Sequence, residues 1–538
     1  MLVGGLVFAL SLTPSLLPRE YLMQGLLSGL AFAVGYGAGA LGAWLWKFLE
    51  LPRPRGRTRA MLIAASSGAV AIVAGVALWR LAIWQDSVRA LMSMPAVSAY
   101  RVRVVLIALV TAVVLLAIAW ALRACLLAAH RVVERVVPRR VSYVLSTLLV
   151  GTLLVLVARG VISRFLLRAA DAAFLRIDEQ VDEDEIPRPD GEWASGGPGS
   201  LIPWNTIGRR GKEFIVEGPS RAQLAEFWGA PVEQPLRVYV GLRSAETAEE
   251  RASLALEELK RVGGFERALL IVATPTGTGW LEPGAVDSVE YLHAGDTAIV
   301  SMQYSYLPSW LTILVDSERS IDSSRALFDK IYAYWRELPP DSRPRLYLHG
   351  LSLGALGSEM CADLFTIFEE PIHGGVWSGP PFPSRKWASF VRDRNHGSPA
   401  WLPEFRDGTM LRFTGRKSTL DTPGNRWGPM RFAYIQHASD PMTFFSPSLF
   451  YRRPDWLVGE RGPDVSPYLH WYPMVTFLQV LCDLPMATAV PPGYGHNIAP
   501  DSYIDAWIAV TQPEISPEGV QRVRAEFAEP EYREADHQ

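Results

Sequence analysis

Within its first 170 residues the chain carries five apolar stretches near the ~20 residues that a helix needs to cross a bilayer, at 2–17, 22–46, 61–84, 104–125 and 141–162. Helices apolar on every face have to be buried in lipid or in a very large core, so this end of the chain predicts a membrane domain before any other feature is considered. The first stretch, "LVGGLVFALSLTPSLL", lacks the basic leader and small-residue cleavage site of a secretory signal, and reads as a retained helix. In the second, "GLLSGLAFAVGYGAGALGAWLW", Gly25/Gly29 and Gly35/Gly39 fall four apart, a spacing that lets neighbouring backbones approach closely. Trp44, Trp46, Trp79 and Trp84 lie near span ends, where indole rings favour the interface.

Charge divides along the same line. Residues 1–176 hold 19 Lys/Arg against 5 Asp/Glu, whereas 177–538 hold 33 against 50. The 47–60 and 123–140 connections carry five basic residues each, and the 18–21 and 85–103 connections one and three. The positive-inside rule therefore predicts a cytoplasmic N-terminus, five crossings and an extracytoplasmic C-terminal domain. Arg159, Arg164 and Arg168, at or beyond the end of the fifth span, run against the rule. A globular part with 33 basic against 50 acidic residues gives no support to nucleic-acid binding, and the excess of basic residues lies in the short membrane loops. Cys125, Cys361 and Cys482 have no metal-ligand spacing and read as separate thiols.

The acidic, Pro/Gly-rich "RIDEQVDEDEIPRPDGEWASGGPGS" (176–200) reads as a solvated linker, which predicts a membrane domain over 1–170, a linker over 171–200 and a globular domain over 201–538. In that last part short β-branched runs at 236–242, 268–274, 297–304, 345–350 and 374–379 alternate with helical patterns at 245–263, 323–338 and 354–369. Nearly continuous apolar strands alternating with helices predict an α/β fold, a mostly parallel sheet covered on both faces, with its site at the carboxyl ends of the strands.

One strand ends in "LYLHGLSLGALGS" (346–358). Gly350-Leu351-Ser352-Leu353-Gly354 is a G-x-S-x-G pattern between a predicted strand and a predicted helix, the turn that holds a nucleophilic serine above a sheet. A serine hydroxyl needs a base to take its proton and a carboxylate to orient that base. Both are expected downstream, acid before histidine. Asp440 follows the strand-like "FAYIQ", and His496 sits in the Gly/Pro-rich "AVPPGYGHNIAPDSY" ahead of a helix. Asp421, Asp455, Asp464 and Asp483 are weaker acids by position; His437 and His470 are the competing histidines, and His349 abuts the elbow as a buried neighbour. The Leu353 amide is the expected first oxyanion donor. A second is expected from Thr276-Gly277-Thr278-Gly279, after an earlier strand, with Gly277 and Thr278 as candidates. Tyr304, Tyr306 and Trp377, which follow or end strands, are candidate pocket residues for an apolar acyl group, and 385–430 reads as a lid-like insertion.

The stretches "SLTPSLLPRE", "QGLLSGLAFAVGYG", "IPWNTIGRRGKEF", "TPTGTGW", "MQYSYLPSW", "HGLSLGALGSE", "WSGPPF", "QHASDP", "RGPDVSP" and "GYGHN" run in order through almost the whole chain. With them the chain resembles the bacterial membrane-anchored α/β-hydrolase family. The resemblance implies an α/β-hydrolase fold behind an all-α transmembrane domain, with Ser352, Asp440 and His496 in the motif positions; it implies no particular substrate. Three function classes follow: a membrane-anchored serine hydrolase acting on a lipid or other apolar ester, an acyltransferase using the same three residues with an alcohol acceptor, and a non-enzymatic binding or transport protein. No nucleotide loop or metal constellation occurs, so no cofactor is expected.

Overall fold

The computed structural model describes residues 1–97, 100–138, 141–142, 145, 148–152, 186–363, 370–422 and 424–528. The chain divides into two compact units: 1–168 with 445–487, and 169–444 with 488–538.

In the first unit three helices are long and apolar enough to cross a membrane: α2 (Tyr21–Phe48), α3 (Gly56–Leu91) and α4 (Arg101–Val133). The count of five is thereby corrected for the described residues. The predicted span at 2–17 is helical only over α1 (Leu2–Ser11), because Pro14 has no N–H and its ring would meet the carbonyl of Leu10 if the helix ran on. Most of the predicted fifth span, 141–162, lies outside the described residues. The non-helical residues 12–19 that follow α1 are all buried. The carbonyls released at the end of α1 find side-chain donors: Gln24 Nε2 donates to Ser11 O at 3.1 Å, and Gln479 Nε2 to Thr13 O at 2.8 Å. The paired glycines are close-packing positions, as expected. A Cβ on Gly25 or Gly29 would come within 2.6 Å of α4, and one on Gly35 within 2.8 Å of Val7 on α1.

Residues 445–487 join this unit rather than the hydrolase-like part in which they were expected. Their apolar helix Val475–Asp483 packs Val475 and Leu478 against Val7, Leu27 and Ala31. Its last residue, Asp483, is wholly buried; it takes the Arg19 guanidinium at 2.9 Å and the Ser15 hydroxyl at 2.5 Å. A buried carboxylate of this kind is tolerable only when paired and hydrogen-bonded.

The second unit is built on seven parallel strands, in the order β1-β3-β2-β4-β5-β7-β6. They are β1 (Leu236–Val240), β2 (Leu269–Thr274), β3 (Thr297–Met302), β4 (Arg345–Leu351), β5 (Gly374–Ser378), β6 (Leu411–Thr414) and β7 (Arg431–Ile435). All but their first residues at β4 and β7 are buried, as a sheet covered on both faces requires. β6 falls inside the segment read as a lid-like insertion, so part of 385–430 is an edge of the sheet. The linker reading also fails for 186–200. Arg188 binds the carbonyls of Gly196 and Gly197, and the buried Glu258 of helix Ala248–Arg261 accepts from Ser200 Oγ at 2.7 Å and Leu201 N at 2.9 Å.

Candidate functional site

The register aligns the carboxyl ends of three neighbouring strands: Leu351 of β4 lies beside Ser378 of β5, which lies beside Ile435 of β7. The next residues of β4 and β5 continue the ladder, with Ser352 N donating to Ser378 O at 3.0 Å and Gly379 N to Ile435 O at 2.9 Å. Ser352, the residue after β7 and Gly379 therefore emerge side by side.

Ser352 has φ +58° and ψ −124°, a backbone conformation that non-glycine residues rarely adopt and that costs on the order of 1–3 kcal/mol. Two glycines make this turn sterically possible. A Cβ on Gly350 would stand 2.3 Å from Gly354, and one on Gly354 would stand 2.2 Å from Thr274 O at the end of β2. The helix Leu353–Cys361 begins at once, its first bond running from Leu356 N to Ser352 O at 3.1 Å, so the Leu353 amide precedes the first intrahelical donor.

Asp440 and His496 come together from 56 residues apart. His496 Nδ1 lies 2.7 Å from Asp440 Oδ2. A carboxylate only accepts, so Nδ1 carries the hydrogen and Nε2 is left with its lone pair as a base. The carboxylate is held in turn by Met442 N at 2.8 Å and the Thr443 hydroxyl at 3.0 Å. Ser352 and His496 are 2% and 6% exposed, and Ser352 Oγ and His496 Nε2 are buried atoms without a hydrogen-bond partner among the described residues. Gly379, at φ +50°, leaves room for the imidazole: a Cβ there would stand 2.4 Å from His496 Cε1. Ser352 and His496 thus flank the same two residues, 378 and 379.

Three contributions went unread in the sequence. Gly379 is one, its signal being a second glycine directly after a strand in "WSGPPF". The others fix the backbone beside His496. Gly495, at φ +53°, donates its N–H to Ser439 Oγ at 2.9 Å and accepts on its carbonyl from His437 Nδ1–H at 2.9 Å. The competing His437 is therefore a brace for the neighbouring histidine.

The remaining expected residues divide. In the loop after β2 the Gly277 amide donates to Ser309 Oγ at 3.0 Å, Gly279 N to Thr276 O, and Thr276 N to Trp280 O. Gly277 is thus already engaged, and Thr278, half-buried at the tip of this turn, is the stronger choice for the second donor. Tyr304 is buried after β3 with its hydroxyl donating to Pro275 O at 3.2 Å, and burial raises its phenol pKa; Tyr306 is buried nearby in sequence. Trp377 is corrected from pocket to core. Its ring stacks on Phe432 at 4.8 Å and its Nε1 donates to Ser358 Oγ at 2.9 Å, beneath the helix that follows Ser352. His349, also beside the elbow, is buried against Tyr503 and Trp507 with Nδ1–H on Val376 O; burial lowers its pKa to about 4. Asp483, a competing acid, belongs to the other unit. Among the described residues no cluster of His, Cys, Asp and Glu has the makings of a metal site.

The profile of the Alpha/beta-hydrolase family matches residues 236–523, and that of the Alpha/beta-hydrolase family N-terminus matches residues 12–219. No curated protein and no solved structure matches the chain.

Proposed function

The chain belongs to the Alpha/beta-hydrolase family, and from that premise we propose that it is a membrane-anchored serine hydrolase cleaving a lipid or lipid-linked acyl ester. The observation that carries this reading is the 2.7 Å contact of His496 Nδ1 with Asp440 Oδ2, which leaves a buried, unpartnered Nε2 at the strand ends where Ser352 sits on its strained turn. In this account Ser352 Oγ attacks the acyl carbon while His496 Nε2 takes the hydroxyl proton, and Asp440 stabilises the imidazolium. The oxyanion is received by the Leu353 amide and by the turn at Thr278. Collapse breaks the ester C–O bond, and the imidazolium returns its proton to the departing alkoxide. Water, deprotonated by His496, then attacks the acyl-enzyme and releases the acid with regeneration of Ser352.

The deep burial of Ser352 and His496 favours one further reading, an acyltransferase in which an alcohol takes the place of a water that reaches the site poorly. Supplying the purified protein with a series of acyl esters, with and without an acceptor alcohol, tests both. Release of free acid supports the hydrolase, and a transferred ester supports the transferase. Neither product from any ester, in a folded protein, would overturn the proposal.

Three long apolar helices are compatible with a membrane anchor. We read the hydrolase chain as extracytoplasmic. Asp483 and Ser466 bind Arg19 and Ser87, which belong to the 18–21 and 85–103 ends of the helices, where basic residues are few.

A further inference from the structure

Where α2 begins, α3 ends and α4 begins, a small cavity of about 30 Å³ opens between Arg19, Tyr21, Gln85, Arg89 and Tyr100. Arg19 is 4% and Gln85 8% exposed. Of the Arg19 donors, Nε goes to Asp483 Oδ1 at 2.9 Å and Nη1 to Gln24 Oε1 at 3.2 Å, while Nη2 is buried without a partner among the described residues. Gln85 accepts the Arg19 backbone N–H on Oε1 at 2.8 Å, which fixes the sense of its amide; among the described residues its Nε2 is likewise buried without a partner. The two residues that carry these donors thus line one cavity, and a buried donor left unmade is costly, the charged one most. No carboxylate is among the described residues that line it, whereas two arginines are. Arg103 lies over the Tyr21 and Tyr100 rings at 5.2 and 4.9 Å, adding positive charge and amphipathic rings of the kind found at headgroup level.

We propose that this cavity binds the phosphate of a membrane phospholipid, with Arg19 Nη2 and Gln85 Nε2 as buried donors to one phosphate oxygen and Arg89 at the mouth. A phosphate oxygen carries lone pairs for both donors and charge for the arginines. The site belongs to the first unit and makes it selective for phospholipid over lipid that lacks a phosphate, independently of the reaction catalysed. The rival occupant is one bridging water, for which the volume also suffices.

Gln85→Glu separates the two. It keeps the acceptor for Arg19 N–H and the side-chain shape but exchanges the amide donor for an anionic acceptor. A water can turn and donate to it; a phosphodiester cannot. Thermal unfolding of the delipidated full-length protein in detergent would be followed against added phosphatidylglycerol, diacylglycerol of the same chains, and inorganic phosphate. Phosphatidylglycerol should raise the wild-type unfolding temperature and diacylglycerol should not, and Gln85→Glu should need about tenfold more phosphatidylglycerol for the same rise. Equal responses of Gln85→Glu and wild type, or of the two lipids, would overturn the proposal, and the full rise from inorganic phosphate alone would overturn its lipid source. Should Gln85→Glu fail to fold, Arg89→Gln at the half-buried mouth carries the same test, with weakened binding expected and unchanged binding contradictory.

Discussion

The position of His496 depends on residues that do no chemistry. Gly379 is the sharpest case, since its missing side chain is the space the imidazole occupies. Gly379→Ala should slow active-site labelling by on the order of 10²-fold, because displacements of about 1 Å have that effect on positioned groups. Its fold should survive, with a cost of roughly 1–3 kcal/mol for a methyl at positive φ; labelling at the wild-type rate would contradict the placement of the ring. Ser439→Ala leaves the buried Gly495 N–H without its acceptor, at a cost of about 1–3 kcal/mol. If Ser439 acts through His496, Ser439→Thr should restore the labelling rate as well as the melting temperature. Ser352, Asp440 and His496 could be picked from the sequence because each sits at a strand end or in a glycine-rich loop with a local pattern. The bracing contacts could not, since a glycine and a serine are unremarkable until two strand ends and a distant loop converge.

Elements whose signals are local in sequence were legible nearly to the residue. The expected runs at 268–274, 345–350 and 374–379 are observed as Leu269–Thr274, Arg345–Leu351 and Gly374–Ser378. What the pattern did not reveal depends on pairs far apart in the chain. Asp483 lies 464 residues from Arg19, so nothing near either residue announces that 445–487 packs with α1 and α2. Removing one partner of that buried pair, as in Asp483→Leu, should destabilise the first unit by roughly 3–5 kcal/mol, whereas Arg19→Met with Asp483→Leu should recover much of the loss. Additive losses in a thermal-unfolding cycle would contradict a net attractive pair. The ordered end of the supposed linker is a second case. Burial raises the Glu258 pKa, but the hydrogen bonds from Arg261, Ser200 and Leu201 outweigh that and hold it below the usual carboxylate value. Glu258→Gln should release this segment, seen as faster limited proteolysis between 186 and 201, and an unchanged cleavage rate would show that other contacts hold it.

For the chain as a whole, burial of titratable groups in the hydrolase unit sets its response to pH. An unfolded His349 takes a proton near 6.5 and the folded one only near 4, so its stabilising share is complete above 6.5 and is lost as pH falls toward 4, by ~1.4 kcal/mol per pH unit. Glu290, pushed up to about 7 by burial despite the neighbouring Arg237 guanidinium, acts oppositely and loses its share as pH rises from 4.5 to 7. The comparison of His349→Gln with wild type isolates the first effect: the variant should lose less stability between pH 7 and 5, and parallel curves would contradict the assignment. A covered parallel sheet and a serine on a strained turn at its strand ends lead to a single chemical claim, that Ser352 is an activated nucleophile. Its most direct test is mass spectrometry of the full-length protein after reaction with a fluorophosphonate. A covalent adduct on Ser352 is expected, absent in Ser352→Ala and formed at least about 10²-fold more slowly in His496→Ala. An unmodified Ser352 in the folded wild-type protein, or an adduct formed equally fast without His496, would contradict it.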